Sequence, residues 1–298
     1  MEFVQVSIDG ILYGASYSLI AIGFSLVFGI MRRINLAFGS SLLLGAALAL
    51  WIESRFNLGI LGILPIMIFC SCLINIYVER ICFAPHPSKN GVVVSMIASF
   101  AIWMQLDEIS SQLLPDRTHS FPSLSLSYFE ALGFYFRVDQ LINIVFAFVT
   151  VALLFFIIYK SQFGILLRAV SSNPEIAKVM GCNISLINML TFALAGICGG
   201  IAAFLILSSE SQITPFFGFW CTIKGLVAMM LGGLGSLFGA LLGGLILGLM
   251  EAHLAYHFGA VVREISTFAI LLLILIFKPG GLFGTRIYND VNSLSQRL

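Results

Sequence analysis

Charge is scarce in this chain. Of its 298 residues only 10% are Asp, Glu, Lys or Arg, while 59% are hydrophobic and the mean hydropathy is +1.04. A soluble domain carries about a quarter charged residues, so this composition excludes one and indicates a polytopic membrane protein. The formal net charge of +1 gives no basis for binding nucleic acid. The six cysteines, at 70, 72, 82, 182, 198 and 221, show neither a CxxC pair nor zinc-ligand spacing. Lying mostly in or beside apolar runs, they read as small packing residues rather than a disulfide framework. There is no G-x-x-x-x-G-K-[ST] phosphate loop, and neither HExxH nor GxSxG occurs. His253 and His257 share a helix face at i, i+4, but no further ligand accompanies them, so no metal is expected. Met1-Glu2 lacks the basic stretch of a removable leader, and none is expected.

What is present is a series of long continuous apolar runs, each long enough as a helix to cross about 30 Å of hydrocarbon. Continuous rather than alternating apolar sequence predicts helices, not a barrel. The expected fold is all-α, a single polytopic helix bundle over residues 1–298 with about 8 membrane segments, some of them discontinuous or re-entrant. The segments fall near residues 6–30, 36–51, 59–77, 92–106 (extending as far as 114 if Asp107 and Glu108 are tolerated), 141–159, 187–207, 219–250 and 261–277. A polar loop is expected from Glu79 to Asn90, an irregular surface loop at 115–138, and a polar turn at 208–215.

Two places break the pattern. Residues 29–39 put Arg32, Arg33 and Asn35 among apolar residues between two glycines. This is either a loop at the membrane face or a helix break inside the protein. Residues 219–250 are glycine-rich, and their first piece, 219–231, is short enough for a re-entrant half-helix. Gly235, Gly239 and Gly243 are spaced four apart, as are Gly244 and Gly248, a small-xxx-small pattern expected to bring helix backbones close. Within the spans the main ionisable residues are Lys224 and Glu251. Each is a transport-role candidate because burying a charge in a membrane is costly, although a lysine can snorkel and Glu251 lies close to a helix end.

Between two of the apolar segments lies a polar island, residues 160–186, with its own helix signals. Ser172 and Asn173 are capping residues, Pro174 suits the first helical position, Glu175 favours the positive helix end and Gly181 suits a left-handed close. A helix of about two turns is predicted from Pro174 to Met180. If the island is cytoplasmic, ten of the fifteen Lys and Arg residues fall on that side. That bias places the island and the C-terminus inside, and the N-terminus outside. With no phosphate loop and few intramembrane carboxylates, the chain reads as a pathway without a motor. Its energy source is then a separate protein docking at the island; the competing reading is a stand-alone ion-coupled carrier.

At four places the residues resemble a known family. Residues 13–39, YGASYSLIAIGFSLVFGIMRRINLAFG, are similar to the first conserved block of the branched-chain amino acid ABC transporter permeases. Residues 164–183, GILLRAVSSNPEIAKVMGCN, resemble their cytoplasmic coupling segment, residues 232–244 (GGLGSLFGALLGG) their glycine block and residues 278–284 (KPGGLFG) their terminal block. One departure lies at Phe38, where the family commonly has histidine, followed by Gly39 and Ser40 where an acidic residue is common. The resemblance implies one of two permease chains in an importer of the inner membrane. It also implies two cytoplasmic ATPase subunits that bind ATP and Mg, and a periplasmic substrate-binding protein. The chain itself is expected to be neither an enzyme nor a cofactor binder. The cargo implied is a branched-chain or related amino acid; relatives carry urea, short amides or aromatic acids. Asn173, Pro174, Glu175, Ile176, Lys178, Val179, Met180 and Gly181 are the expected coupling residues, with Glu175 and Lys178 available for ion pairing and the apolar positions for a groove. The alternative for those apolar positions is packing against the underside of this chain. For the substrate path the candidates are Tyr13, Ser16, Tyr17, Asn35, Phe38, Ser40, Thr222 and Lys224.

Overall fold

The computed structural model describes residues 2–57, 59–86, 91–114, 118–122, 128–131, 134–278 and 280–283. Eleven α-helices account for most of them: α1 (Glu2–Met31), α2 (Phe38–Phe56), α3 (Gly59–Val78), α4 (Gly91–Leu113), α5 (Val138–Lys160), α6 (Gln162–Ser172), α7 (Pro174–Val179), α8 (Ile184–Glu210), α9 (Phe217–Gly232), α10 (Leu237–Phe258) and α11 (Ala260–Phe277). Seven are long and apolar enough to cross a membrane: α1, α4, α5, α8, α10, α11 and the stretch Gly62–Phe83. A chain of this composition folds as helices because a helix satisfies its own backbone hydrogen bonds where water is absent. The protein is thus a polytopic transmembrane helix bundle. Its centre is α1, which packs against α10, α8 and α9.

Several loops expected from sequence are ordered. The polar stretch after α3 continues as a π-helical turn, Glu79–Phe83, with Glu79, Cys82 and Phe83 buried. Residues 87–90 of that expected loop lie outside the described residues. Residues 115–138, expected to be irregular, contain β1 (His119–Ser120), β2 (Tyr128–Ala131) and β3 (Phe134–Arg137); β2 and β3 form an antiparallel hairpin. Strand β1 pairs with β4 (Gln212–Ile213), in the expected turn at 208–215. These strands are two to four residues long, too short to show alternation in sequence.

Two helices inside the bundle, α2 with 19 residues and α9 with 16, fall outside the set of spans. At 1.5 Å per residue α9 is about 24 Å long, short of the hydrocarbon thickness. Helix α2 begins inside the protein. Phe38, its first residue, packs edge-on to Phe24 with ring centroids 4.7 Å apart. Phe24 lies seven residues before the end of α1, about 10 Å along the axis. The chain between them therefore turns back into the bundle, and Arg33, Asn35 and Ala37 are buried on the way. Of the two readings left open by sequence, the structure takes the internal break.

The glycines divide by partner. A Cβ on Gly239 or Gly243 would collide with the α9 backbone at Gly232 or Ala228, whereas one on Gly244 or Gly248 would collide with α1 at Ser18 or Gly14. Gly235 does not share this role. It lies in the turn between α9 and α10 with φ +76°, so its spacing matched the stripe while its function is to permit the turn. The carbonyls left open at the end of α9 are taken by the C-terminal block: Leu282 N–H donates to Leu231 O and Phe283 N–H to Gly232 O, both at 2.9 Å. Gly284 and the residues beyond it, with Arg286 and Arg297, lie outside the described residues.

Candidate functional site

The polar island resolves into two helices. Ser161 caps α6 by accepting from Gly164 N–H at 3.1 Å. Asn173 then closes α6 and opens α7, its Oδ1 accepting from Glu175 N–H at 3.1 Å and Ile176 N–H at 3.2 Å. Ser172 is not a cap; its hydroxyl donates back to Ala169 O. Pro174 sits at the start of α7, and Gly181 closes it with φ +87°. The longer α6 was not anticipated, although its amphipathic sequence was visible. Its buried Leu167 and Val170 join Ala177, Ile187 and Ile30 in a small apolar cluster that ties α7 through α6 and α8 to the end of α1.

Only Ala177 of α7 is buried. Ile176 is 58% exposed, Val179 89% and Met180 80%. Packing against this chain's own underside is not what these side chains do. Beside them opens a cleft of about 630 Å³ whose walls include Glu175 and Lys178 from α7, Arg33 from the α1–α2 break and Glu79 from the π-turn.

The expected path residues separate into three groups. Tyr13 and Ser16 line a very small cavity with Asn143 and Ser209. Asn35, Phe38, Ser40 and Thr222 meet where the break reaches the first turns of α9. There Thr222 Oγ1 accepts from Gly39 N–H at 3.2 Å, Asn35 Oδ1 accepts from Ala37 N–H at 3.1 Å, and Gly218 lies against the Ser40 backbone. These contacts satisfy the free N–H groups of a helix that starts away from water. The two irregular segments singled out in sequence thus touch each other.

Tyr17 and Lys224 belong to a third group, together with Glu251, Arg263 and Thr267. Glu251, 2% exposed, accepts at Oε2 from Lys224 Nζ (3.1 Å), Arg263 Nε (3.0 Å) and Tyr17 Oη (3.1 Å), and at Oε1 from Thr267 Oγ1 (2.8 Å). The Tyr17 oxygen also accepts from Lys224 Nζ at 3.1 Å and Arg263 Nη2 at 2.9 Å, so its one donor and two acceptor positions are filled. One carboxylate is shared by two cations from different helices, α9 and α11. Arg263 and Thr267 are not among the residues singled out from sequence. The available signal was charge balance, because Lys224 and Glu251 in neighbouring apolar segments call for partners.

His253, on the same helix as Glu251, has its Nε2 3.0 Å from Ser7 Oγ and its ring tilted against Phe3; among the described residues no group of three metal-ligating side chains occurs.

A comparison with protein families matches residues 7–277 to the family described as "Branched-chain amino acid transport system / permease component". Among curated relatives, the high-affinity branched-chain amino acid transport system permease protein BraD of Pseudomonas aeruginosa is 29% identical over 297 residues, covering 95% of this chain and 96% of that protein. LivH of Escherichia coli K12, with the same description, is 27% identical over 298 residues at the same coverage. Among solved structures, an ABC transporter of metal-chelate type in an inward-facing conformation shares the fold with TM-score 0.50 and 17% identity, over 92% of this chain and 87% of that one. The family match covers all three groups of expected path residues and α7, and the chain belongs to the branched-chain amino acid transport system permease component family.

Proposed function

We propose that this chain is the translocation subunit of an ATP-driven importer for branched-chain or related hydrophobic amino acids in a bacterial inner membrane. It pairs with a second, homologous permease chain. Two cytoplasmic ATPase subunits bind ATP and Mg, and a periplasmic binding protein delivers the substrate. The island and C-terminus face the cytoplasm, and the N-terminus faces the periplasm.

The observation that carries this reading is α7: a doubly capped helix outside the spans with Ile176, Val179 and Met180 turned away from the protein. Exposed apolar side chains on a rigid helix mark a surface awaiting a partner. Asn173, Pro174 and Gly181 fix the helix, Glu175 and Lys178 supply charge at its rim, and the three apolar residues enter the ATPase groove. Movement of α7 passes through the cluster of Ala177, Leu167, Val170, Ile187 and Ile30 to the end of α1. That end runs directly into the internal break that meets α9. Motion at the ATPase is thereby delivered to the junction of the two irregular segments, where Asn35, Phe38, Ser40 and Thr222 border the path.

In the assembled transporter, Glu175→Arg with Met180→Asp should reduce ATP-driven leucine uptake by about tenfold or more, a loss equivalent to about 1.4 kcal/mol of docking. Membrane insertion should be unchanged. Normal uptake by that double variant would rule out docking at α7.

A further inference from the structure

On the side of the bundle opposite α7, the Tyr17–Lys224–Arg263 group forms one wall of a cavity of about 120 Å³. Glu210, the last residue of α8, and Glu264 of α11 form another wall. Glu210 lies within electrostatic reach of Lys224, Arg263 and Glu264.

The hydrogen-bond inventory around this cavity is incomplete in a specific way. A lysine ammonium has three N–H donors and an arginine guanidinium five. Lys224 uses two of its donors and Arg263 two, all on Tyr17 and Glu251. Donors therefore remain on both cations. On the same cavity, Glu264 Oε2 is buried with no donor among the described residues. Glu251 is shared by the two cations, while Glu210 and Glu264 on the cavity wall bond to neither of them, so both carboxyl groups are available to N–H donors. A ligand that matches must bring N–H donors for Glu210 and Glu264 together with acceptor oxygens for Lys224 and Arg263. It must also be small. Of the remaining lining, Ile20, Ile206, Phe217 and Trp220 are apolar, beside Thr214 and Cys221.

We propose that this cavity is a binding site on the permease for the charged head of a zwitterionic amino acid with a hydrophobic side chain. The ammonium is received by Glu210 and Glu264, and the carboxylate by the unused donors of Lys224 and Arg263. The side chain lies along the apolar wall. The assignment rests on the importer function above and adds to it a selection step within the membrane subunit. Because the cations are already held by Glu251, they attract the carboxylate without a naked buried charge, and the site releases its ligand readily. Glu210 and Glu264 are the discriminating residues, since they meet the ligand and take no part in the Glu251 network.

The test uses the whole chain in lipid nanodiscs and saturation-transfer NMR, which reads weak ligands. At about 5 mM ligand, within the range of millimolar affinity, L-leucine should give a saturation signal that L-valine displaces. 3-Methylbutylamine, which lacks the carboxylate, and 4-methylpentanoate, which lacks the ammonium, should give little signal and no displacement. Glu210→Gln with Glu264→Gln should weaken L-leucine binding about tenfold, the effect of losing a charge-assisted hydrogen bond. Absence of an L-leucine signal in the native chain, an equal signal from the amine or the acid, or a double variant that binds normally would each overturn the site. Uptake by the assembled transporter separates the two levels. Leucine uptake with native KM and native selectivity in the Glu210→Gln, Glu264→Gln variant would overturn the cavity alone. A native transporter that imports no hydrophobic amino acid would overturn the function and the cavity with it.

Discussion

The exposed face of α7 and the buried group around Glu251 invert the usual arrangement in opposite ways. On α7, apolar side chains stand in the open: Val179 is 89% exposed on a helix whose single buried residue is Ala177. Around Glu251, ionisable side chains are enclosed: Lys224 is 7% exposed and Glu251 2%, yet every oxygen of Glu251 and Tyr17 has a donor. The first surface has apolar groups without a partner among the described residues; the second has charges that share one carboxylate and one phenol, with every oxygen of both paired. The stabilising energy therefore lies in different places in the two regions. The buried group is held by its own network, so disturbing it should damage folding. The α7 surface contributes little to the isolated chain, so disturbing it should damage assembly or coupling while the fold survives.

The largest effect that would break this contrast is at Glu251. Glu251→Ala leaves Lys224 and Arg263 facing each other without their shared anion. Removing one partner of a buried ionic group costs about 3–5 kcal/mol, a large share of the roughly 5–15 kcal/mol that holds a typical protein folded. The thermal unfolding midpoint of the purified variant in detergent should drop sharply. A variant as stable as the native chain would show that water or lipid headgroups already screen those charges. Lys224→Met should cost less, because Arg263 and Thr267 still pair with Glu251.

Smaller than this, and confined to packing, is the effect expected at the glycine contacts. Gly244 lies against the Ser18 backbone of α1, and Gly239 against Gly232 of α9. A leucine at either position forces the helices apart. Overpacking of this kind costs about 1–3 kcal/mol. Gly244→Leu should lower stability at the central α1–α10 contact, and Gly239→Leu should loosen the α9–α10 hairpin and reduce uptake. Gly235→Ala is the control for spacing against conformation: its cost comes from the positive φ and not from a clash between helices. Equal stability for Gly239→Leu and the native chain would mean that the close approach is dispensable.

Sequence revealed the parts of this molecule that depend on neighbours along the chain. Helix α7 was legible because Asn173, Pro174 and Gly181 are local signals that act within one turn. The long spans were legible from continuous apolar runs. What depended on distant contacts was not. Arg263 did not stand out because its partial burial follows from the packing of α11 on α10. Gly235 looked like part of a packing stripe because spacing does not distinguish a helix from the turn before it. The β1–β4 pairing joins residues more than ninety positions apart with two residues on each side. The break expected at residues 29–39, which falls at 32–37, stood open in sequence between loop and interior. Its outcome is set by Phe38 finding the space beside Gly23 and Phe24, and by Thr222 meeting the Gly39 N–H.

The finest test of the contrast lies at Asn173, which belongs to the exposed region yet acts through the backbone. Its Oδ1 accepts from two N–H groups at the start of α7. Asn173→Ala should remove about 1 kcal/mol from that helix, while Asn173→Asp or Ser should retain most of it. Because α7 contributes so little to the isolated chain, the unfolding midpoint should not change. Amide hydrogen exchange over residues 174–180 should instead speed up about fivefold, as expected when a local opening costs less by that amount. Uptake should fall modestly, and the aspartate variant should recover it. If Asn173→Ala lowered the global midpoint, α7 would share in the stability of the bundle, and the separation between a self-sufficient interior and a dependent surface would fail at its most local point.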